Sequence, residues 1–378
     1  MSGNSTTETR HLAATEWQSA FDQRPQMTWG MFFALVATTA LGAGLRLLQL
    51  GARPATAGEL DTIETVAGGL DYIWRNAAQH QAPLVETLFW LGAQVWGPSL
   101  IGLRLVSVIA AAIMLPLLWL AATHAVGRGS ALMATALLAT APASVAGSQQ
   151  ALSITLAIAV LPWTFLCYEQ LRRRGSTLRW ALFAMAGLFV TLCTYLSAAL
   201  VLAQLVALAL VVERPRRVEV LLGGMTCTLL LVLAVSPLLA LSLRGGTSMA
   251  GIEFAQLITL LGVSLSVTAV VPSPLREAAL LAVTAALVFA LMRSYYHRNL
   301  LPHLLQTAAL ALALLVLASP LNGAEVAVAL ALPSLLLIIA SGLSSLAEFR
   351  FGWLLATLLA AVLLTNHFVG LVNYFVAM

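Results

Sequence analysis

The sequence has no lysine and few charged residues of either sign. Only 9% of its 378 residues are charged, whereas 60% are hydrophobic, and all 19 basic residues are arginine. The lack of lysine is typical of a GC-rich genome and is not by itself evidence for guanidinium chemistry. No basic stretch carries the interleaved aromatic residues that bind nucleic acids, so we expect no nucleic-acid partner.

The sequence also lacks the patterns of a cysteine or metal centre. Its three cysteines, Cys167, Cys193 and Cys227, lie in apolar surroundings without CxxC spacing, which predicts core packing and neither a disulfide nor a metal site. No HExxH motif and no Ser–His pair lies within an apolar run, which argues against intramembrane proteolysis.

Long apolar runs dominate the rest of the chain, and the mean hydropathy is +0.93. Runs of roughly 17 to 25 apolar residues indicate membrane-spanning helices, because lipid offers no partner for an open backbone. The sequence therefore predicts an all-α polytopic membrane protein with about eleven transmembrane helices. The predicted spans are Met27–Leu48, Leu103–Thr123, Ser130–Gly147, Ala151–Cys167, Trp180–Tyr195, Leu196–Val212, Val218–Leu241, Leu275–Met292, Leu304–Leu317, Val326–Leu343 and Trp353–Gly370.

The polar segments between and beyond these spans predict the domain organisation. Residues 1–26 carry both charge signs and lack the apolar core of a signal peptide, so we expect a cytoplasmic tail. Residues 27–370 form the predicted transmembrane domain, and 371–378 a C-terminal tail. The two longer periplasmic loops are predicted at 49–102 and 242–274.

The positions of the arginines predict the topology. Leu84–Trp96 is only about 20 Å long as a helix, against a hydrocarbon core of roughly 30 Å. Treating it as interfacial places the clusters at 172–174 and 214–217 in the cytoplasm, as the positive-inside rule expects. Treating Ala255–Val271 as interfacial or re-entrant likewise places Arg293, Arg298 and Arg350 there. The N-terminus is then cytoplasmic and the C-terminus periplasmic, and we expect any active site on the periplasmic face.

The first periplasmic loop is the one long polar interval in the apolar chain. It is rich in acidic side chains, and chemistry in a membrane protein requires such polar groups. A third of the 15 acidic residues of the protein lie here, namely Glu59, Asp61, Glu64, Asp71 and Glu86.

Short motifs occur in a fixed order along the chain, beginning with Leu45-Arg46-Leu47 at the end of the first span. Gly58-Glu59-Leu60-Asp61-Thr62, His80-Gln81-Ala82-Pro83-Leu84, Gly97-Pro98-Ser99, Leu103-Arg104-Leu105-Val106-Ser107, Ala141-Pro142, Ser148-Gln149-Gln150-Ala151-Leu152-Ser153-Ile154 and Leu332-Pro333-Ser334-Leu335 follow. This order resembles the GT-C fold membrane glycosyltransferases, specifically the bacterial relatives of protein O-mannosyltransferases and of the lipid A aminoarabinose transferase. The resemblance covers about residues 27–370.

The motifs depart from the family at several positions. Gly58 stands where the family has its first acidic residue, and Ala82 replaces a proline. Leu152 and Ile154 stand where the family has an arginine and a tyrosine, and a late Arg-Tyr pair is absent. The chain therefore lacks two cations that the family places near the phosphate of its donor.

The resemblance implies a glycosyltransferase of the bacterial inner membrane. It would move a sugar from a polyprenyl-phosphate-linked donor to a periplasmic acceptor, which could be a glycan, a lipid or a protein. Membrane lipids and the lipid-linked donor are the implied partners. No cofactor is certain, although two carboxylates near a phosphate could hold a divalent metal ion. The implied catalytic bases are Glu59 and Asp61, the phosphate-binding candidates are Arg53, His80 and Arg104, and the sugar-binding candidates are Gln149, Gln150 and Tyr195.

Simpler interpretations of the same residues remain open. Glu59 and Asp61 would also stabilise the N-terminus of a helix over Thr62–Trp74. Arg104 would serve as an interfacial anchor, His80 as an ordinary loop residue, and the two glutamines as the end of a span. A non-catalytic protein of the same fold, binding a lipid-linked glycan or a partner subunit, is the main alternative. A transporter is disfavoured because ionisable groups are scarce in the spans.

Overall fold

The computed structural model describes residues 28–75, 83–194, 197–212, 216–244, 273–297, 304 and 322–376. All regular secondary structure in these ranges is α-helical, which confirms the all-α prediction. The helices are α1 (Trp29–Leu47), α2 (Ala57–Ala67), α3 (Gly69–Arg75), α4 (Pro83–Trp96), α5 (Leu100–Val126), α6 (Arg128–Thr140), α7 (Pro142–Ser148), α8 (Ser153–Arg173), α9 (Thr177–Cys193), α10 (Ser197–Val211), α11 (Arg217–Arg244), α12 (Ser273–His297), α13 (Asn322–Ala347) and α14 (Gly352–Val376).

Several helices are long and apolar enough to cross a membrane, so the chain is a multi-pass membrane protein. Four of the described helices qualify singly: α1, α5, α14 and the Leu330–Ala347 part of α13. Helices α6 and α7 meet at a bend of 59° and qualify as a fifth span when taken together. The number of eleven spans stays a prediction, since most of Leu304–Leu317 and the whole of Ala255–Val271 lie outside the described residues.

The chain divides within α1 into two compact units, residues 1–37 and 38–378. The described part of the first unit carries three aromatic rings in mutual contact, with Trp29 lying 6.2 Å from both Phe32 and Phe33. All the structure considered below belongs to the second unit.

The core of the second unit lies between α5, α8, α9 and α13, whose facing side chains form one large apolar cluster. Helices α12 and α13 approach closely because α12 presents a row of buried alanines, among them Ala282 and Ala286. A Cβ atom at Gly342 of α13 would overlap the backbone of Ala286. Small residues allow such close helix packing where lipid provides no hydrophobic driving force.

The long helices α5 and α8 carry the chain from the first loop to an arginine-rich end of the bundle. Both begin beside the loop and end near each other, where Arg173 donates a hydrogen bond to the His124 carbonyl. Arg216 donates to the carbonyls of Leu171 and Arg172. The two arginine clusters singled out in the sequence thus meet at one end, while the acidic loop residues lie at the other.

The first loop is more helical than the sequence predicted. The predicted helix Thr62–Trp74 is wrong in its bounds, because α2 begins at Ala57 and ends at Ala67. Thr56 and Glu59 form a capping box, in which each side chain bonds the backbone N–H of the other residue. This reciprocal cap satisfies two N–H groups and so starts the helix early. Gly68 lies between α2 and α3, and Gly69, with φ of 81°, begins α3.

The predicted interfacial helix and the predicted C-terminal tail can both be compared with the observed helices. Helix α4 contains 14 residues and corresponds to the predicted interfacial helix Leu84–Trp96. Helix α14 continues to Val376, so residues 371–376 belong to the last helix and not to the predicted tail. The additional turn brings Tyr374 into contact with the first loop.

Candidate functional site

A buried ion pair between Glu59 and Arg104 forms the centre of the site. Glu59 lies in the first turn of α2, and Arg104 lies near the start of α5. The Arg104 Nε donates to Glu59 Oε1 at 2.8 Å, and Nη2 donates to Oε2 at 2.9 Å. The two side chains are 0% and 1% exposed. Their planar groups match in a two-bond arrangement, which is the strongest pairing available to an arginine and a carboxylate.

The rest of the Arg104 guanidinium holds the start of the first loop. Nη1 donates to the carbonyl oxygens of Leu50 and Arg53, at 2.8 and 3.0 Å. Nη2 also donates to the Pro54 carbonyl at 3.2 Å. A buried arginine that bonds three backbone carbonyls fixes the path of the chain between α1 and α2. Arg104 therefore has a structural role that an interfacial anchor would not have.

Glu59 is held by three further donors besides Arg104. The backbone N–H and hydroxyl of Thr56 donate to Oε2, and the backbone N–H of Ala151 donates to Oε1 at 2.9 Å. Burial on its own would raise the pKa of Glu59, but the bonds from Arg104 and from these amides lower it to about 2. The carboxylate is therefore ionised at neutral pH and has no affinity for a proton there.

Asp61 lies in a different environment, although it is only two residues away. The sequence allowed both carboxylates to face one cavity from an extended loop, but the segment is helical and Asp61 is exposed. Glu86, in the first turn of α4, is half-buried, and burial together with the charge of Asp61 raises the pKa of Glu86 to about 7. The sequence analysis did not select Glu86 as a site residue, because its neighbour comes from a separate helix.

Two residues that differ from the family motifs, Gly58 and Leu152, lie next to each other in the structure. A Cβ atom at Gly58 would lie 3.0 Å from Cδ2 of Leu152, so these two residues are in direct apolar proximity. The neighbouring hydroxyl of Thr62 donates to the carbonyl oxygen of Ala151, which attaches α2 to the same turn. A leucine side chain therefore lies next to the position where the family motif has its first acidic residue.

Gln149 is buried and joins the end of the first helix to the last helix. Its Nε2 donates to the carbonyl oxygens of Leu48 and Arg46, at 2.7 and 3.1 Å. Its Oε1 accepts a hydrogen bond from the Tyr374 hydroxyl at 2.7 Å. Both ends of the amide are thus engaged within the protein, and a sugar hydroxyl would have to replace one of these bonds.

Arg53 lies over the ring of Tyr374, with its Cζ 3.9 Å from the ring centroid. Both residues are half-buried, which leaves them accessible from one side. Tyr374 was not predicted as a site residue. A tyrosine near the end of a span is normally an interfacial anchor, and the sequence gives no indication of the distant loop residue that it contacts.

The remaining predicted residues are less closely tied to this site. Gln150 is half-buried beside the site, in the turn that follows α7. His80 and Tyr195 lie outside the described residues. Within the described ranges, no three His, Cys, Asp or Glu side chains are grouped as ligands for a metal ion.

Arg46, in the last turn of α1, is buried and bonds to a break in the neighbouring span. Its guanidinium donates to the carbonyl oxygens of Leu138 and Ala139 and to the Ser144 hydroxyl. These carbonyls lie at the end of α6, where Pro142 has no N–H to continue the helical bonding. Arg46 therefore supports the bend between α6 and α7, which carries the turn with Gln149.

Part of the chain matches a known family model. Residues 80–241 match the family model described as dolichyl-phosphate-mannose-protein mannosyltransferase. A comparison with curated protein sequences finds no match.

Two solved structures share the fold of the chain. ArnT from Cupriavidus metallidurans, solved bound to undecaprenyl phosphate, matches with a TM-score of 0.57 and 14% identity over 85% of this chain. The oligosaccharyltransferase of Archaeoglobus fulgidus, solved in its apo form, matches with a TM-score of 0.55 and 12% identity over 93% of this chain. The chain covers 62% and 56% of the lengths of these proteins. The fold is that of the GT-C glycosyltransferases, which confirms the resemblance identified in the sequence.

Proposed function

We propose that this chain, with its GT-C glycosyltransferase fold, transfers a sugar from a polyprenyl-phosphate donor to an acceptor on the periplasmic face of a bacterial inner membrane. One observation carries the proposal. The described first loop contains an exposed carboxylate, Asp61, and a half-buried guanidinium, Arg53, which lie in the sequence on either side of Glu59, the partner of Arg104. Transfer of a sugar from a lipid phosphate requires a base and a cation at one face of the membrane.

Asp61 is the better candidate for the base among the two predicted carboxylates. The acceptor oxygen would attack the anomeric carbon and lose its proton to a carboxylate. The bond between that carbon and the phosphate oxygen would break, and the electron pair would leave with the lipid phosphate. Glu59 already accepts bonds from Arg104, Thr56 and Ala151, and its pKa of about 2 makes it a poor proton acceptor. Asp61 is exposed and lies beside Glu86, whose pKa of about 7 suits it to take up the proton next.

The cations of the proposed site have separate roles. Arg104 is already saturated by Glu59 and by three backbone carbonyls. Arg53 is half-buried and is the proposed cation for a phosphate, whereas Arg75, the other described arginine of the loop outside this site, is paired with Asp71. His80 stays a candidate for the same phosphate, and Gln150 and Tyr195 stay candidates for the sugar. A divalent metal ion, if the reaction used one, would be held by Asp61 and would supply positive charge for the phosphate.

Substitutions of the two carboxylates test the proposal. The purified protein, reconstituted with polyprenyl-phosphate sugars and a mixture of glycan, lipid and peptide acceptors, should transfer sugar. Asp61→Asn should abolish transfer and leave the thermal midpoint Tm unchanged, whereas Glu59→Gln should lower the Tm. Full transfer by Asp61→Asn would exclude Asp61 as the base.

A second candidate function is binding of a lipid-linked glycan without transfer. The observation that favours it is the proximity of Gly58 and Leu152, two apolar residues at positions where the family motifs have an acid and an arginine. Under this alternative, the protein binds undecaprenyl phosphate but releases no free lipid phosphate from any donor. Turnover of a single donor would exclude it.

A further inference from the structure

The end of the last helix is attached to the first loop through a chain of three side chains. Arg53 stacks on the Tyr374 ring, and the Tyr374 hydroxyl donates to Gln149. Gln149 in turn bonds the backbone at the end of α1 through Leu48 and Arg46. Tyr374 is therefore fixed at its hydroxyl end, and the face of its ring is presented to Arg53.

Arg53 is also fixed at its backbone. Its carbonyl oxygen accepts a bond from Arg104, which holds the residue in the segment between α1 and α2. Among the described residues, no carboxylate forms an ion pair with the Arg53 guanidinium. The neighbouring charges of Glu59 and Arg104 cancel each other, so Arg53 adds a net positive charge to this part of the site.

Stacking on an aromatic ring uses the face of a guanidinium and leaves its N–H edges directed outwards. Those edges match two oxygens of a phosphate group, and a fixed plane makes the two-bond geometry available without further ordering. A half-buried arginine in this arrangement is suited to an anion that arrives from the accessible side.

We propose that Tyr374 is a positioning residue that holds Arg53 for the phosphate group of a lipid carrier, so that the end of the last helix completes the site. The inference rests on the proposed function for the identity of the lipid. Tyr374 does not itself touch the phosphate. It sets the plane of the guanidinium, and Gln149 sets the position of the ring.

The experiment compares three probes that bind to the purified full-length protein in detergent. Undecaprenyl phosphate carries the phosphate on a lipid, undecaprenol is the same lipid without it, and inorganic phosphate is the free anion. Binding is followed by native mass spectrometry or by the change in tryptophan fluorescence. The variants are Arg53→Gln, Tyr374→Leu and Tyr374→Phe, and the Tm of each variant checks its fold.

A second cation–π contact in the chain provides a matched control for the loss of the contact between Arg53 and Tyr374. Arg350 lies 5.4 Å from the ring centroid of Phe351, before the start of α14 and at its opposite end from Tyr374. Phe351→Leu removes that contact while leaving Tyr374 in place.

We expect the wild type to bind undecaprenyl phosphate at least roughly tenfold more tightly than undecaprenol. Arg53→Gln and Tyr374→Leu should remove this preference, and Phe351→Leu should keep it. Tyr374→Phe keeps the ring and loses the bond to Gln149, so it should weaken the preference by a smaller factor. A role of Tyr374 in packing alone would weaken the binding of both lipids equally.

Three results would overturn the inference. Tyr374→Leu could keep the preference for undecaprenyl phosphate over undecaprenol, or the wild type could bind both lipids equally. The third is that inorganic phosphate binds as tightly as undecaprenyl phosphate. The last result would assign the site to a free anion.

Sugar transfer is measured separately. If the variants lose the preference and the wild type transfers no sugar, the inference stands and the proposed function fails. If Tyr374→Leu transfers sugar at the wild-type rate, the proposed function stands and the inference fails.

Discussion

The Glu59 carboxylate and the Arg104 guanidinium face each other in a buried, two-bond ion pair that joins α2 to α5. Both oxygens of Glu59 also accept bonds from other residues, and both terminal nitrogens of Arg104 donate to backbone carbonyls. Such a pair is sensitive to the loss of one member, because the other charge then remains buried without compensation. The pair thus determines the shape of the first loop before any substrate is bound.

Removing either member of this pair should destabilise the protein. We expect Glu59→Gln and Arg104→Gln each to cost about 3 to 5 kcal/mol, with much less than the sum in the double variant. The measurement is the Tm in detergent at pH 7.5. Arg75→Gln is the control, because its ion pair with Asp71 is 80% and 89% exposed and should contribute almost nothing. Additive effects of the two substitutions would contradict the coupling.

The same pair should make the protein sensitive to acid. The pKa of Glu59 is lowered in the folded state to about 2, so the folded state binds fewer protons than the unfolded state between that pH and the ordinary value of 4.5. Its contribution to stability is present above about pH 4.5 and is lost as the pH falls towards 2. The difference in Tm between wild type and Glu59→Gln should therefore shrink on acidification, and a difference that is constant down to pH 3 would contradict this.

The contribution of Glu86 to stability should depend on pH in the opposite direction. Its pKa is raised to about 7, so the folded state holds its proton more strongly than the unfolded state does. Stability from this group is present below the ordinary pKa and is lost as the pH rises through 7. Glu86→Gln should therefore raise the Tm at pH 8 and change it little at pH 4. Glu64→Gln, at an exposed position of α2, is the control and should have no such dependence.

The effects of substituting Arg46 and Pro142 on stability should be coupled. Arg46→Leu leaves the carbonyls of Leu138 and Ala139 without their donor, and each buried carbonyl without a partner costs about 1 to 3 kcal/mol. Pro142→Ala restores an N–H that can bond the Leu138 carbonyl. The double variant should therefore be more stable than the sum of the single effects predicts. Strict additivity in the Tm values would show that the arginine does not compensate for the proline.

The contact between Gly58 and Leu152 should determine the effect of a side chain at position 58. Gly58→Ala gains helix propensity of up to about 1 kcal/mol but brings its Cβ against Leu152. We expect Gly58→Ala to be more stabilising in a Leu152→Ala background than in the wild type. Gly44→Ala, where a Cβ meets nothing within 4 Å, is the control and should not depend on residue 152.

Part of this architecture follows from the sequence because it depends on composition. Apolar runs must become helices in lipid, and the order of the motifs was enough to identify the GT-C fold. The acidic first loop was recognised as the site because polar residues are scarce elsewhere. The sequence analysis also offered Glu59 as a residue that stabilises the N-terminus of a helix, but it did not place that helix correctly, since α2 begins five residues before the predicted start and is capped by Thr56.

Tertiary structure decided what each polar residue does. The sequence by itself determined the fold class and the loop that holds the candidate site, because hydropathy and charge act locally along the chain. It could not determine that Glu59 is saturated by Arg104, 45 residues away, while Asp61 stays exposed. It also could not bring Tyr374 to Arg53 or Leu152 to Gly58. Such contacts depend on how the helices pack. Packing buries some polar side chains and gives them hydrogen-bond partners, and this sets the pKa of each side chain and its accessibility to a substrate.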